Sequence, residues 1–171
     1  MEAIREERPL LEDIKGKADV IIDTSELALA DLKEKISRLY APEQWEKNIL
    51  ITVISFGYKY GLPLDADLVF DVRFLPNPYY VDSLRSLDGN DSRVQKYLWK
   101  WAITHRFFQK LDDLVTFLLP CYVKEGKPQL AIAIGCTGGK HRSVALANEL
   151  ARTLDEKKYK VRIEHRDLKK A

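Results

Sequence analysis

Residues 129–154 read QLAIAIGCTGGKHRSVALANELARTL, and this stretch decides the fold. The apolar run Leu130–Ile134 has the length of a buried strand and feeds directly into a glycine-rich turn. From His141 to Asp155 the apolar residues Val144, Ala147, Ala151 and Leu154 recur at helical spacing. A strand that passes through small residues into a helix leaves backbone N–H groups unpaired at the turn. The positive end of the helix lies behind them, so the turn is suited to an anion. Lys140, His141 and Arg142 add side-chain donors that fit phosphate. Cys136, Thr137, Gly138, Gly139, Lys140, His141, Arg142 and Ser143 are therefore the candidate phosphate loop.

Working outward, Ile49–Ile54 is a second continuous apolar run, as expected for a strand in a sheet covered on both faces. Gly57 and Gly61-Leu62-Pro63 interrupt it, and Leu68–Phe74 reads as another strand. Pro76-Asn77-Pro78 forbids helix and predicts a turn. Ser92 is placed to cap one long helix towards Leu119, with Val94, Leu98, Trp101, His105, Phe108, Leu111, Val115 and Leu118 at helical spacing and Pro120 as its stop. Val161–Ile163 reads as the last strand. Strands alternating with helices predict an α/β fold, a mostly parallel sheet flanked by helices, with the phosphate loop between a strand and the next helix. Ligands in such sheets collect at the carboxyl ends of the strands.

The N-terminal part reads differently. A helix tail precedes Ala18–Asp23, Thr24 or Ser25 is positioned to cap a helix from Glu26 to Tyr40 with Leu27, Leu29, Leu32 and Ile36 on its apolar face, and Ala41-Pro42-Glu43-Gln44 reads as a linker. Residues 1–47 are thus expected to be the end of another domain, and residues 48–171 the binding domain.

Composition narrows the function class. With 46% hydrophobic and 32% charged residues among 171, the chain has the balance of a folded domain rather than a disordered one. No apolar run approaches the roughly 20 residues that cross a bilayer, and MEAIREERPL holds no signal-peptide core, so a cytoplasmic setting is expected and no membrane partner. Cys121 and Cys136 make neither a disulfide framework nor, with three histidines, a metal signature; no cofactor is expected. The net charge of +2 is unevenly spread: residues 157–171 carry seven Lys and Arg against Glu164 and Asp167. That segment is either a solvated helix end or a footprint for a phosphate backbone.

The loop itself admits two chemistries. It is not a Walker A loop, because only three residues separate Gly135 from Gly139-Lys140 and His141 stands at the hydroxyl position. Cys136 to Arg142 is Cys-x5-Arg followed by Ser143, similar to cysteine-dependent phosphatases, in which a thiolate at a helix N-terminus attacks phosphorus. Gly135 replaces the histidine usual in those enzymes, and the general acid would come from Asp65, Asp67, Asp71 or Asp88. The alternative is a non-catalytic anion site. Ser55–Gly61, with Lys59, and Asp71–Pro78 follow predicted strands and reach the same end of the sheet. There Arg73 and Asn77 either read a ligand's phosphate and hydroxyls, or Arg73 pairs with Asp71 or Asp67 while Asn77 closes a turn. In a parallel sheet His165, at the end of the last strand, falls near His141 and forms a cluster with Arg142 and Arg166. His105 is expected as a satisfied core histidine, Cys121 as an inert small residue, and one of Trp99 and Trp101 as exposed, since they cannot share a helix face.

Four motifs in order, SFGYKYG (55–61), VFDVRFLPNP (69–78), IGCTGGKHRSV (134–144) and EHRDLKK (164–170), resemble the C-terminal domain of the RapZ RNase-adapter and YvcJ-type family over nearly the whole chain. ADVIIDTSEL (18–27) is similar to the segment that joins the family's N-terminal P-loop domain to this one, a domain that the absence of Walker motifs implies is missing here. The resemblance implies a binding domain rather than an enzyme, one that senses glucosamine-6-phosphate or a related cell-wall precursor, binds small RNA for an endoribonuclease, and forms homo-oligomers. It implies phosphate held by His141 and Arg142, and RNA backbone met by Arg166, Lys169 and Lys170 beside His165. The chain departs from the RNA-adapter members at Tyr60, where they carry histidine, and in its shorter basic tail, which favours the YvcJ-like branch.

Overall fold

Four strands, all parallel, form one sheet in the order β2-β3-β1-β4. The computed structural model describes residues 11, 12, 14–40 and 49–170. The chain divides into two compact units, Met1–Pro42 and Glu43–Ala171. In the first, Asp23 Oδ1 accepts the Ser25 N–H at 2.9 Å and its hydroxyl at 2.6 Å, closing a turn. Helix α1 (Leu29–Tyr40) therefore starts later than the expected Glu26, and neither Thr24 nor Ser25 adjoins its first residue. The expected helix tail before Ala18 falls largely, and the linker at residues 41–44 entirely, outside the described residues.

The second unit holds the sheet: β1 (Leu50–Gly57), β2 (Leu68–Asp71), β3 (Gln129–Cys136) and β4 (Lys160–His165). Its helices are the single turn α2 (Asp82–Arg85), α3 (Ser92–Trp99), α4 (Ala102–Glu125) and α5 (Arg142–Glu156). In-register pairing puts Ile51 beside Leu130 and Val161, and Val53 beside Ile132 and Ile163, so one face of the sheet is aliphatic. Leu111, Val115 and Leu119 of α4 and Leu146, Ala147, Leu150 and Leu154 of α5 join that face in one core. The all-parallel sheet flanked by helices is the expected α/β fold. Both long helices pack on this face, and on the opposite one Leu50 and Val69 remain 39% and 41% exposed. A continuous apolar run marks a strand as buried but does not reveal how thickly each face is covered.

Three boundaries differ from expectation for local reasons. β2 ends at Asp71 rather than Phe74, because the Asp71 carboxylate accepts both the backbone N–H and the guanidinium of Arg73 and turns the chain. The long helix is two helices: Asp91, not Ser92, caps α3 by accepting the Arg93 N–H, and Trp101 adopts an extended conformation before α4. That break resets the helical phase, so Trp101 and His105 are exposed and Leu119 replaces Leu118 in the core. His105 is satisfied, with a ring nitrogen 2.6 Å from the Trp99 carbonyl, but it is not a core residue. Trp99 packs on the core and Trp101 is 45% exposed, the division expected of the pair. Pro120 does not stop α4, which runs to Glu125 and ends at Gly126 with φ +96°. The lost hydrogen bond at an exposed proline is offset because the extra turn packs Tyr122 and Val123 on the core.

Candidate functional site

The carboxyl ends of β1 and β3 lie side by side, Gly57 opposite Cys136, and the loop Thr137–His141 leaves β3 there and enters α5 at Arg142. Neighbours hold the loop from both sides. Lys59 N–H donates to the Thr137 carbonyl at 3.2 Å, and Gly89 N–H to the Lys140 carbonyl at 2.9 Å. Gly139 takes φ +74°, and a Cβ there would lie 2.7 Å from Gly57 N. Only glycine fits at that approach.

Asp167 supplies a third restraint. It is fully buried and accepts the Gly57 N–H at 2.9 Å, the Arg166 guanidinium at 2.6 Å and Lys170 Nζ at 3.0 Å. Burial pushes its carboxyl up, but the Arg166, Gly57 and Lys170 hydrogen bonds outweigh it, and the group lies below the usual 3.8. The tail is thereby fastened to the end of β1.

Cys136 is buried. Its Sγ receives the Gly139 N–H at 3.3 Å and stands 3.2 Å from Ser143 Oγ. Arg142 is 5% exposed, and its guanidinium is partly spent on structure: Nη1 donates to the carbonyls of Arg73 (2.6 Å) and Leu75 (3.1 Å), and Nη2 to Thr137 Oγ1 (3.3 Å). Among the described residues its Nε has no hydrogen-bond partner, and neither has Nε2 of His141, itself 7% exposed. Burial, aided by the Lys140 charge, holds the His141 imidazole below its usual range against the pull of the Arg85, Leu87 and Leu84 carbonyls. Two buried polar atoms left open at one loop are costly unless something fills them.

Both residues line a cavity of about 420 Å³. It is lined by Cys136, Thr137, Gly138, Lys140, His141 and Arg142, by Lys59, and by Asn77, Tyr79, Tyr80 and Arg85. The structure thus brings together eight of the residues singled out in the sequence. Gly139 and Ser143 are outside the lining and contact Cys136 Sγ. Arg73 is not in the lining: it is paired with Asp71 at 2.7 Å and stacked 4.0 Å from the Tyr58 ring, so the structural alternative for Arg73 is the one realised. Asn77 closes the turn by accepting the Tyr79 N–H at 3.3 Å, and it also lines the cavity.

The tail residues lie apart from the cavity lining. His165 Nδ1 is 2.9 Å from Ser55 Oγ, and Arg166 also donates to the Gly61 carbonyl at 2.7 Å. Tyr79, Tyr80, Arg85 and Asp167 were not singled out in the sequence. Adjacent tyrosines after an Asn-Pro turn, 52% and 80% exposed here, were the available signal for the wall. Among the described residues no carboxylate stands in the lining, so Asp65, Asp67, Asp71 and Asp88, the candidate general acids, are not part of it. Cys121 is exposed, with Sγ 3.5 Å from the Phe117 carbonyl.

Residues 49–169 match the family model described as the RapZ C-terminal domain. The chain belongs to the RapZ family. Residues 1–44 match the model of the RapZ-like N-terminal domain, which corrects the expectation that this domain is missing. Proteins similar to this chain include a "nucleotide-binding protein" of Caldicellulosiruptor bescii, 58% identical over 99% of the chain and 58% of the relative. Others come from Carboxydothermus hydrogenoformans (55% identical, 99% of the chain and 59% of the relative) and Caldanaerobacter subterraneus (55% identical, 98% and 59%). The chain therefore spans just under three fifths of the length of these family members. Among the described residues no helix is long and apolar enough to cross a membrane.

Proposed function

We propose that the Cys136–Arg142 loop binds the phosphate of a phosphorylated sugar, glucosamine-6-phosphate or a related cell-wall precursor, and that the chain acts as a ligand-sensing, non-enzymatic module. The observation that carries this reading is that Arg142 and His141, two buried residues each with an unpartnered polar atom, both line a cavity whose size suits a small ligand. A phosphate oxygen accepts from arginine in a strong charge-assisted bond. None of the four candidate aspartates is in the lining, which favours binding over the phosphatase alternative. "Nucleotide-binding" is the relatives' description; in this chain, which has no Walker A loop, we assign phosphate recognition to the Cys136 loop, and a nucleotide is the competing ligand to run beside the sugar phosphate.

Calorimetric titration of glucosamine-6-phosphate is expected to give saturable binding to the wild type. Arg142→Ala is expected to weaken it about 100-fold, the effect of losing one or two charged hydrogen bonds. Absence of saturable binding, or equal affinity in the variant, overturns the proposal.

We also assign RNA contact to the tail, in service of an endoribonuclease partner and within a homo-oligomer. Arg166 and Lys170 are engaged by Asp167, so the backbone contact falls chiefly on Lys169 and the exposed Lys160 and Arg162. Few phosphate contacts predict a shallow salt slope, roughly −3 in log affinity against log salt. Binding that ignores salt sinks the RNA part.

A further inference from the structure

We infer that the outer edge of β4 is an interface between two copies of this chain, joined by antiparallel pairing of β4 with β4 about a two-fold axis at Ile163. This rests on the homo-oligomer assigned above and gives it a surface. β4 ends the sheet in the order β2-β3-β1-β4, and among the described residues no strand covers its outer side. Arg166 N–H donates inward to the Ser55 carbonyl. Backbone groups along a parallel ladder alternate in direction, so the N–H and C=O of Val161, Ile163 and His165 point outward. Such a row of open groups is a template for another strand.

Charge blunts most edges of this kind. On β4 the charges change sign at a spacing that can pair instead. Arg162 and Glu164 share the sheet face of Thr52 and Ile54, are both exposed, and make no ion pair among the described residues. Between them, on the other face, Ile163 is 40% exposed. In an antiparallel pair about a two-fold axis, one residue faces its own copy and its two neighbours face each other. An axis at Arg162 or Glu164 sets a charge against itself, and an axis at Val161 sets Lys160 against Arg162. An axis at Ile163 places Arg162 opposite Glu164 of the second copy, twice by symmetry, at the non-hydrogen-bonded positions where side chains stand closest. Ile163 then covers its own copy, and Val161 and His165 exchange backbone hydrogen bonds across the axis. One register serves the backbone, the charges and the exposed isoleucine together. Of the two β4 cations assigned to RNA, Lys160 has no acidic residue opposite it and stays open to a phosphate, while Arg162 is shared with Glu164.

Sedimentation equilibrium of the chain and two variants makes the test. The wild type is expected to dimerise at micromolar concentration. Glu164→Arg sets like charges at both cross-strand positions and is expected to weaken the dimer about 10-fold or more. The swap Arg162→Glu with Glu164→Arg restores opposite charges in the same register, and should return the affinity to within about threefold of wild type. A dimer that Glu164→Arg leaves unchanged, or a swap that fails to restore association, overturns the inference and leaves a homo-oligomer through another surface. A wild type that stays monomeric overturns both, and leaves the β4 edge to a strand from another protein.

Discussion

Gly57→Ala will destabilise the second unit by about 3 kcal/mol, the upper range for overpacking, and will abolish phosphate binding. A Cβ at residue 57 would sit 2.6 Å from the Gly138 carbonyl carbon and 2.8 Å from both Gly138 O and Gly139 N. These are backbone atoms of the phosphate loop, so no side chain can swing aside. The strand must retreat or the loop must move, and in either case the loop amides lose their aim. Gly138→Ala is the matching control: its Cβ would meet only Lys59 Cε at 4.0 Å, and its backbone is not left-handed. Its stability should stay within about 0.5 kcal/mol of wild type. Chemical denaturation and phosphate titration of both variants check the pair. A Gly57→Ala protein as stable as Gly138→Ala contradicts the packing described at the β1 end.

Asp167→Ala should cost about 3 kcal/mol, a melting shift of roughly 10 °C. The substitution removes the acceptor of a buried backbone N–H and the counter-charge of Arg166 together. The pH dependence follows from the same carboxylate. Its folded value lies below the usual 3.8, so its stabilisation is fully present above about pH 3.8 and is lost as pH falls through the lower folded value. Acid unfolding of the wild type should therefore steepen below about pH 4, and Asp167→Ala should lack that part of the slope. Identical acid limbs would show that Asp167 contributes nothing through its charge.

The strand–loop–helix unit was readable because its signals are local: Leu130–Ile134, five small residues and a helical apolar spacing sit in one window. The loop's neighbours were less readable. That Arg142 spends Nη1 on two carbonyls depends on where β2 ends, and β2 ends where Asp71 captures Arg73. An Asp-x-Arg chelate shortens a strand in a way that apolar periodicity does not register. The break at Trp101 escaped for a related reason, since Val94, Leu98 and Leu111, Val115 are each helical in spacing and only a phase shift separates them. Asp167 was hidden most completely. Within seven basic residues it reads as one acid in a charged tail, whereas its work is done across the fold at Gly57. Long-range partners of a single polar side chain leave no pattern in a sequence.

The strand order carries a consequence for how the chain acquires its shape. β1 lies inside the sheet but does not pair with β2, the strand that follows it in sequence; its two edges meet β3 and β4, which are made later. Chains whose pairings join distant residues close large loops first and fold slowly. During synthesis both hydrogen-bonding edges of the most apolar strand stay open until residues 129–165 have left the ribosome. The phosphate loop, built where β1 meets β3, can therefore form only after β3 and the start of α5 have been made.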